Sequence, residues 1–190
     1  VSIDLAAVSD SGVVDDDNLT ANNNSSLATN LSFDVAGVED GALVRLFAGT
    51  QEIASGVATG NSVNITTAGN LVLADGPISI TATQIFEGVE SLASVALDIT
   101  IDSAVGVFES AFPATLPLAT NFSFDVDNTE EASTGFSYSL AVSVSGMSIN
   151  ATSGQFTWRP IANQLGVNSF TVRATDAAGN TRDLVSTMTV

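Results

Sequence analysis

The chain alternates. Apolar and polar residues exchange at every second position in LSFDV (31–35), ALVRLF (42–47), SVNIT (62–66), ISITAT (78–83) and VALDITI (95–101). The same pattern returns in FSFDV (122–126), FSYSL (136–140), GQFTWRP (154–160), SFTVRAT (169–175) and LVSTMTV (184–190). Side chains of an extended strand point to opposite faces in turn, so each run predicts a strand with one face in a core and one in solvent. The runs are rich in Val, Ile, Thr and Phe and are separated by Gly, Asn, Asp and Ser, which is strand and turn chemistry. No segment holds a 3.6-residue period. Many short strands without helices predict an all-β fold of antiparallel sandwiches. Within FSFDV, Phe124 and Val126 share one face and Asp125 takes the other. Phe33, Val35 and Asp34 repeat the arrangement, so Asp34 and Asp125 are predicted to face solvent.

The chain also repeats itself. NLSFDVAG (30–37) answers NFSFDVDN (121–128), SITATQIFEG (79–88) answers TVRATDAAGN (171–180), and VALDITI answers LVSTMTV, each at an offset of about ninety residues. Three pairs in one order imply two copies of one architecture. The predicted domains are 1–104 and 105–190, with the boundary in IDSAVGVFESAFP. So short a link predicts an end-to-end pair, with Val105, Val107, Phe108 and Phe112 packed against the domain ends.

Charge narrows the chemistry. The 190 residues carry 21 acidic side chains and four arginines (Arg45, Arg159, Arg173, Arg182), for a net charge of −17. Hydrophobic residues make up 45% and mean hydropathy is +0.34, enough to bury a core instead of leaving an acidic tail unfolded. Nucleic acid and anionic membrane surfaces are poor partners for such a chain and cations are good ones. His, Cys and Lys are absent. The usual bases that activate a serine are therefore missing, as are ordinary zinc, iron–sulfur and haem ligands, disulfides and lysine-based isopeptide crosslinks. A pair of carboxylates working as in glycosidases is the catalytic chemistry left open. Two sandwiches of about ninety residues offer little cleft for it, and a non-catalytic protein is expected. No apolar run reaches the ~18 residues of a membrane span, so no membrane insertion is expected. No basic-then-apolar leader opens the chain, and without an initiating Met it reads as a segment of a longer protein.

Residues 1–104 resemble the bacterial Ig-like repeats of large surface adhesins. The residues that carry the resemblance are SDSGVVDDDNLT (9–20), GVEDGALVRLF (37–47), LADGPISITAT (73–83) and ITID (99–102). One departure is ATQIFEG, where those repeats have an aspartate in place of Gln84. Residues 105–190 resemble a cadherin-like, dystroglycan-type Ig domain, through the run VSGMSINATSGQFTWRPIANQLGVNSFTVRATDAAGN (144–180). Both resemblances imply tandem Ig-like/cadherin-like sandwiches in exported, repeat-built surface proteins. Some members of these families bind calcium, and neither family is catalytic.

Candidate metal ligands follow. In SDSGVVDDDNLT, Asp15 and Asp17 project to one side of an extended segment and Asp16 to the other. Gly12 allows a turn that folds Asp10 back toward Asp17. Clustered carboxylates repel unless a cation bridges them. Calcium takes six to eight oxygens, and the segment offers oxygen without nitrogen or sulfur. The resemblance matches Asp10 and Asp17 to ligand positions, with Asp15 and Asp16 extra. A solvated acidic loop is the other reading. In the second copy the resemblance aligns Glu130, Ala132 and Thr134 with a ligand loop, so two of three ligands are lost. Asp176 and Asn180 survive in ATDAAGN, with Asp127, Asn128 and Glu131 nearby. Asp176 capping its own hairpin turn is the alternative. Asp102, at the link, reads as a calcium ligand, as an acceptor of amide hydrogens, or as an ordinary linker acid.

Trp158 and Tyr138 are the only large amphipathic aromatics. Alternation with Phe156 places Trp158 in a core, whereas a sugar-stacking platform needs it exposed. The expectation is therefore a non-catalytic structural or adhesive module, extended and stiffened by Ca2+. It is expected on the bacterial cell surface or in the extracellular medium, as a monomer whose partners are neighbouring repeats and a surface glycan or protein. The alternative is a carbohydrate- or ligand-binding accessory module of a secreted multidomain enzyme.

Overall fold

Strands account for every regular element except one short 3-10 turn. The computed structural model describes all 190 residues, Val1–Val190. Contacts divide it into two units, Val1–Ser103 and Ala104–Val190.

The first unit contains β1 (Ser2–Leu5), β2 (Leu19–Thr20), β3 (Ser32–Ala36), β4 (Leu43–Ala48) and β5 (Gln51–Val57). It continues with β6 (Ser62–Thr66), β7 (Gly76–Phe86), β8 (Val89–Glu90) and β9 (Leu97–Ile101). One sheet has the order β1-β3-β6, and the other runs β2-β9-β7-β4-β5 with β8 beside β7. The inward residues of both sheets meet in one core, with Phe33, Leu46, Ile80, Ile99 and Ile101 almost wholly buried.

The second unit contains β10 (Phe122–Asp125), β11 (Ser137–Val142), β12 (Ser148–Ile149), β13 (Gln155–Trp158), the 3-10 turn Ala162–Gln164, β14 (Val167–Thr175) and β15 (Thr181–Thr189). Its sheets are β10-β13-β12 and β11-β14-β15. Trp158, Phe156, Phe170, Val172 and Met188 form its core.

The three repeated sequence pairs occupy matching places. β7 lies between β4 and β9, and β14 lies between β11 and β15, all antiparallel. β3 pairs with β6 as β10 pairs with β13. Each last strand also takes a parallel partner from the start of its unit, β2 on β9 and Thr115 on Thr189.

The segment read from sequence as a linker is built into the second unit. Phe112 lies 4.6–4.9 Å from the rings of Phe124, Phe156 and Phe170, and Val105 is buried in the same core. Backbone bonds from Glu109 N–H to Asp127 O and from Thr129 N–H to Val107 O run it along residues 127–129. Asp34 and Asp125 are exposed, as alternation predicts.

Candidate functional site

The acidic segment before β2 is a loop folded back on itself. Gly12, with φ of +108°, makes the turn, a conformation that suits a residue without Cβ. As a result one oxygen of Asp10, Oδ2, accepts the Asn18 N–H at 3.0 Å. The loop is fastened on both sides: Thr20 Oγ1 donates to the Ser9 carbonyl, and Ala21 N–H reaches Ser11 Oγ at 2.7 Å. Asp10 is only 5% exposed. Its second oxygen, Oδ1, is buried and has no hydrogen-bond partner. Burial pushes the Asp10 carboxyl above its ordinary pKa; the Asn18 N–H works against that, and the charges of Asp17, Asp15 and Asp16 add to it. Those three are exposed, and Asp17 Oδ1 accepts the Leu19 N–H at 3.0 Å. No three acidic side chains anywhere in the protein are drawn close enough to enclose an ion by themselves.

An orphaned buried carboxylate oxygen is uncommon and costs about 1–3 kcal/mol or more when it is charged. A proton would relieve it at low pH, as would a hard cation at neutral pH. The acidic loop offers oxygen donors only, the ligand type that calcium takes.

The second acidic group is arranged differently. Asp176, 4% exposed, accepts the Asn180 N–H at 2.9 Å through Oδ1 and the Asn180 Nδ2 at 2.8 Å through Oδ2. Both oxygens are engaged within the β14–β15 hairpin. Glu130 N–H donates to Asn128 Oδ1, and Asn128 Nδ2 donates to the Gly106 carbonyl, so buried Asn128 ties this loop to the start of the unit. Asp127 N–H is held by Ser110 Oγ. Glu131 accepts the Tyr138 hydroxyl at 2.8 Å. Burial first, and then that hydrogen bond, raise the phenol well above its usual range.

Asp102 follows β9, with its N–H donating to the Thr20 carbonyl. The neighbouring Ser103 is held by Asp75, whose Oδ1 accepts both the N–H and the Oγ of Ser103. Sequence reasoning missed Asp75; its signal was the Asp-Gly pair that opens β7. Trp158 is 2% exposed and so is not a stacking platform.

Comparison with known families bears on the second unit. Residues 100–190 match the model of the putative Ig domain family. This segment, which contains the whole second unit, is similar to that family. Among solved structures, matches are at low identity. The fibronectin(III)-like modules of Clostridium thermocellum CbhA align over 100% of this chain and 94% of theirs, at 13% identity and a TM-score of 0.45. The protocadherin GammaB4 extracellular domain aligns over 83% of this chain and 26% of its own, at 14% identity and 0.33. An endo-fucoidan hydrolase of glycoside hydrolase family 107 aligns over 80% and 32%, at 14% and 0.32. This chain thus spans about a quarter of the protocadherin and a third of the hydrolase. No curated protein matches it. The Ig-like domain and its preceding unit are all-β, and no helix is long and apolar enough to cross a membrane.

Proposed function

We propose that this pair of Ig-like units is a non-catalytic structural module of a larger extracellular protein, with calcium bound in the loop at Asp10. The observation that carries the reading is the buried, partnerless Oδ1 of Asp10 beside three exposed aspartates. Asp10 is the fixed ligand, and Asp17 and Asp15 would have to turn toward it to supply further carboxylate oxygen. The ion's chemistry is charge neutralisation. The chain's own contribution is to hold one carboxylate oxygen buried and without a partner from the protein. Clamped through Asn18 and Thr20, the loop is anchored directly on β2 and, through it, on β9, so ion binding stabilises the strand pair that closes the first unit. Adhesion and a bacterial surface location belong to the same proposal, as does a chain-extending role for the repeats.

Asp176 and Asn180 satisfy each other, which supports the hairpin-capping role over a second ion. Calorimetry of calcium binding tests the proposal. One site lost in Asp10→Asn and kept in Asp176→Asn is expected; a site that survives Asp10→Asn overturns the assignment.

A further inference from the structure

One end of β10 and β13 in the second unit opens onto a cavity of about 330 Å³, walled by Asn121, Phe122, Ser123, Thr157, Trp158 and Arg159. Its charge is the reverse of the protein's. The walls carry a guanidinium and no carboxylate, in a chain with 21 acids and four arginines. Arg45 is neutralised by Glu52 and Glu90, and Arg173 by Asp183. Arg159 makes no ion pair, so its five donors are available to a ligand.

A second observation points the same way. The Trp158 indole N–H is buried and has no acceptor, a state that native proteins seldom leave uncompensated. The edge of the ring that carries it faces Gly146, also in the cavity wall. A Cβ at Gly146 would lie 3.8 Å from Trp158 Cδ1. Glycine at 146 thus leaves that edge without a side chain over it from this position.

The remaining walls suit hydroxyl groups. Ser123 and Thr157 oppose each other across the β10–β13 pair. Ser123 Oγ accepts from Gln155 Nε2 and keeps its own proton to donate, and Thr157 shares a hydrogen bond with Ser148. The Asn121 amide is exposed, and half-buried Phe122 supplies an apolar wall. The volume lies at the small end of the roughly 300–1,000 Å³ range of small-ligand sites, which fits a single ring.

We propose that this cavity binds a carboxylate-bearing sugar unit, a uronate. The carboxylate pairs with Arg159 in the two-pronged geometry guanidinium favours. Hydroxyls meet Asn121, Ser123 and Thr157. The inference is independent of calcium and of the acidic loop.

Trp158 is the only tryptophan of the chain, so its emission reports on this cavity alone. The test is a fluorescence titration of the whole chain, in chelator and at constant ionic strength, with glucuronate, glucose and acetate. A saturable change with glucuronate is expected, at least tenfold weaker for glucose and for acetate. It should weaken at least tenfold in Arg159→Gln, whose exposed position leaves the melting temperature unchanged. No saturable change, an equal response to glucose or acetate, or undiminished binding by Arg159→Gln would each overturn the proposal.

Discussion

Asp10 is where single-residue chemistry is most exposed to experiment. Its folded-state pKa is raised, so the folded protein holds the Asp10 proton more tightly than the unfolded chain does. The stability this contributes is present below the ordinary aspartate value and is lost as pH rises through the raised one. In chelator at neutral pH, Asp10→Asn should therefore melt higher than the parent, because it removes a buried charge. In calcium the order should reverse, because the parent gains the ion and the variant does not. A variant that is destabilised equally in both conditions would show that Asp10 is only a hydrogen-bond acceptor. Gly154 offers a backbone counterpart. It has φ of +66°, and a Cβ there would overlap the Val126 carbonyl. Gly154→Ala should destabilise the second unit by more than the ~1 kcal/mol of an unstrained glycine exchange. A loss under that in urea unfolding would contradict the crowding seen here.

Elements show what the sequence made legible. All ten alternating runs fall on strands, because alternation reports the burial of one face, and β3, β6 and β14 bury theirs in a core. β5 was not read as a strand. It lies at the edge of its sheet, buries only Ile53, and carries Gln51, Glu52, Ser55 and Gly56, so no apolar stripe marks it. β2 and β12 are two residues each, too short for any period. Residues 104–112 read as a joint since they follow a strand and hold no alternation. Their place in the second core depends on three phenylalanine rings far away in sequence. The loop at Asp10 was legible as charge. The orphaned oxygen was not, because it arises from the backbone clamp at Asn18 and Thr20. Arg159 had a faint signal, as one of four cations beside the sole tryptophan. Phe112→Ala should cost the second unit roughly 2–3 kcal/mol, less than the about 3–5 of a fully buried Phe because Phe112 keeps partial exposure. Denaturation followed by Trp158 emission measures it, and an unchanged midpoint would return residues 104–112 to the role of linker.

At the scale of the whole molecule, calcium should act on the first unit, through Asp10. Each unit has its own core, and the only Trp and the only Tyr lie in the second. Trp158 emission therefore follows the second unit, while far-ultraviolet circular dichroism follows both. Calcium at ~100 times its dissociation constant adds about 2.7 kcal/mol to the state that binds it, or about 10 °C for a domain of this size. Melting in calcium, magnesium and chelator, read by both signals, tests this most directly. Calcium should raise a dichroism transition that Trp158 does not report, and leave the Trp158 transition in place. Identical melting in all three solutions, or a calcium shift confined to Trp158, would contradict it.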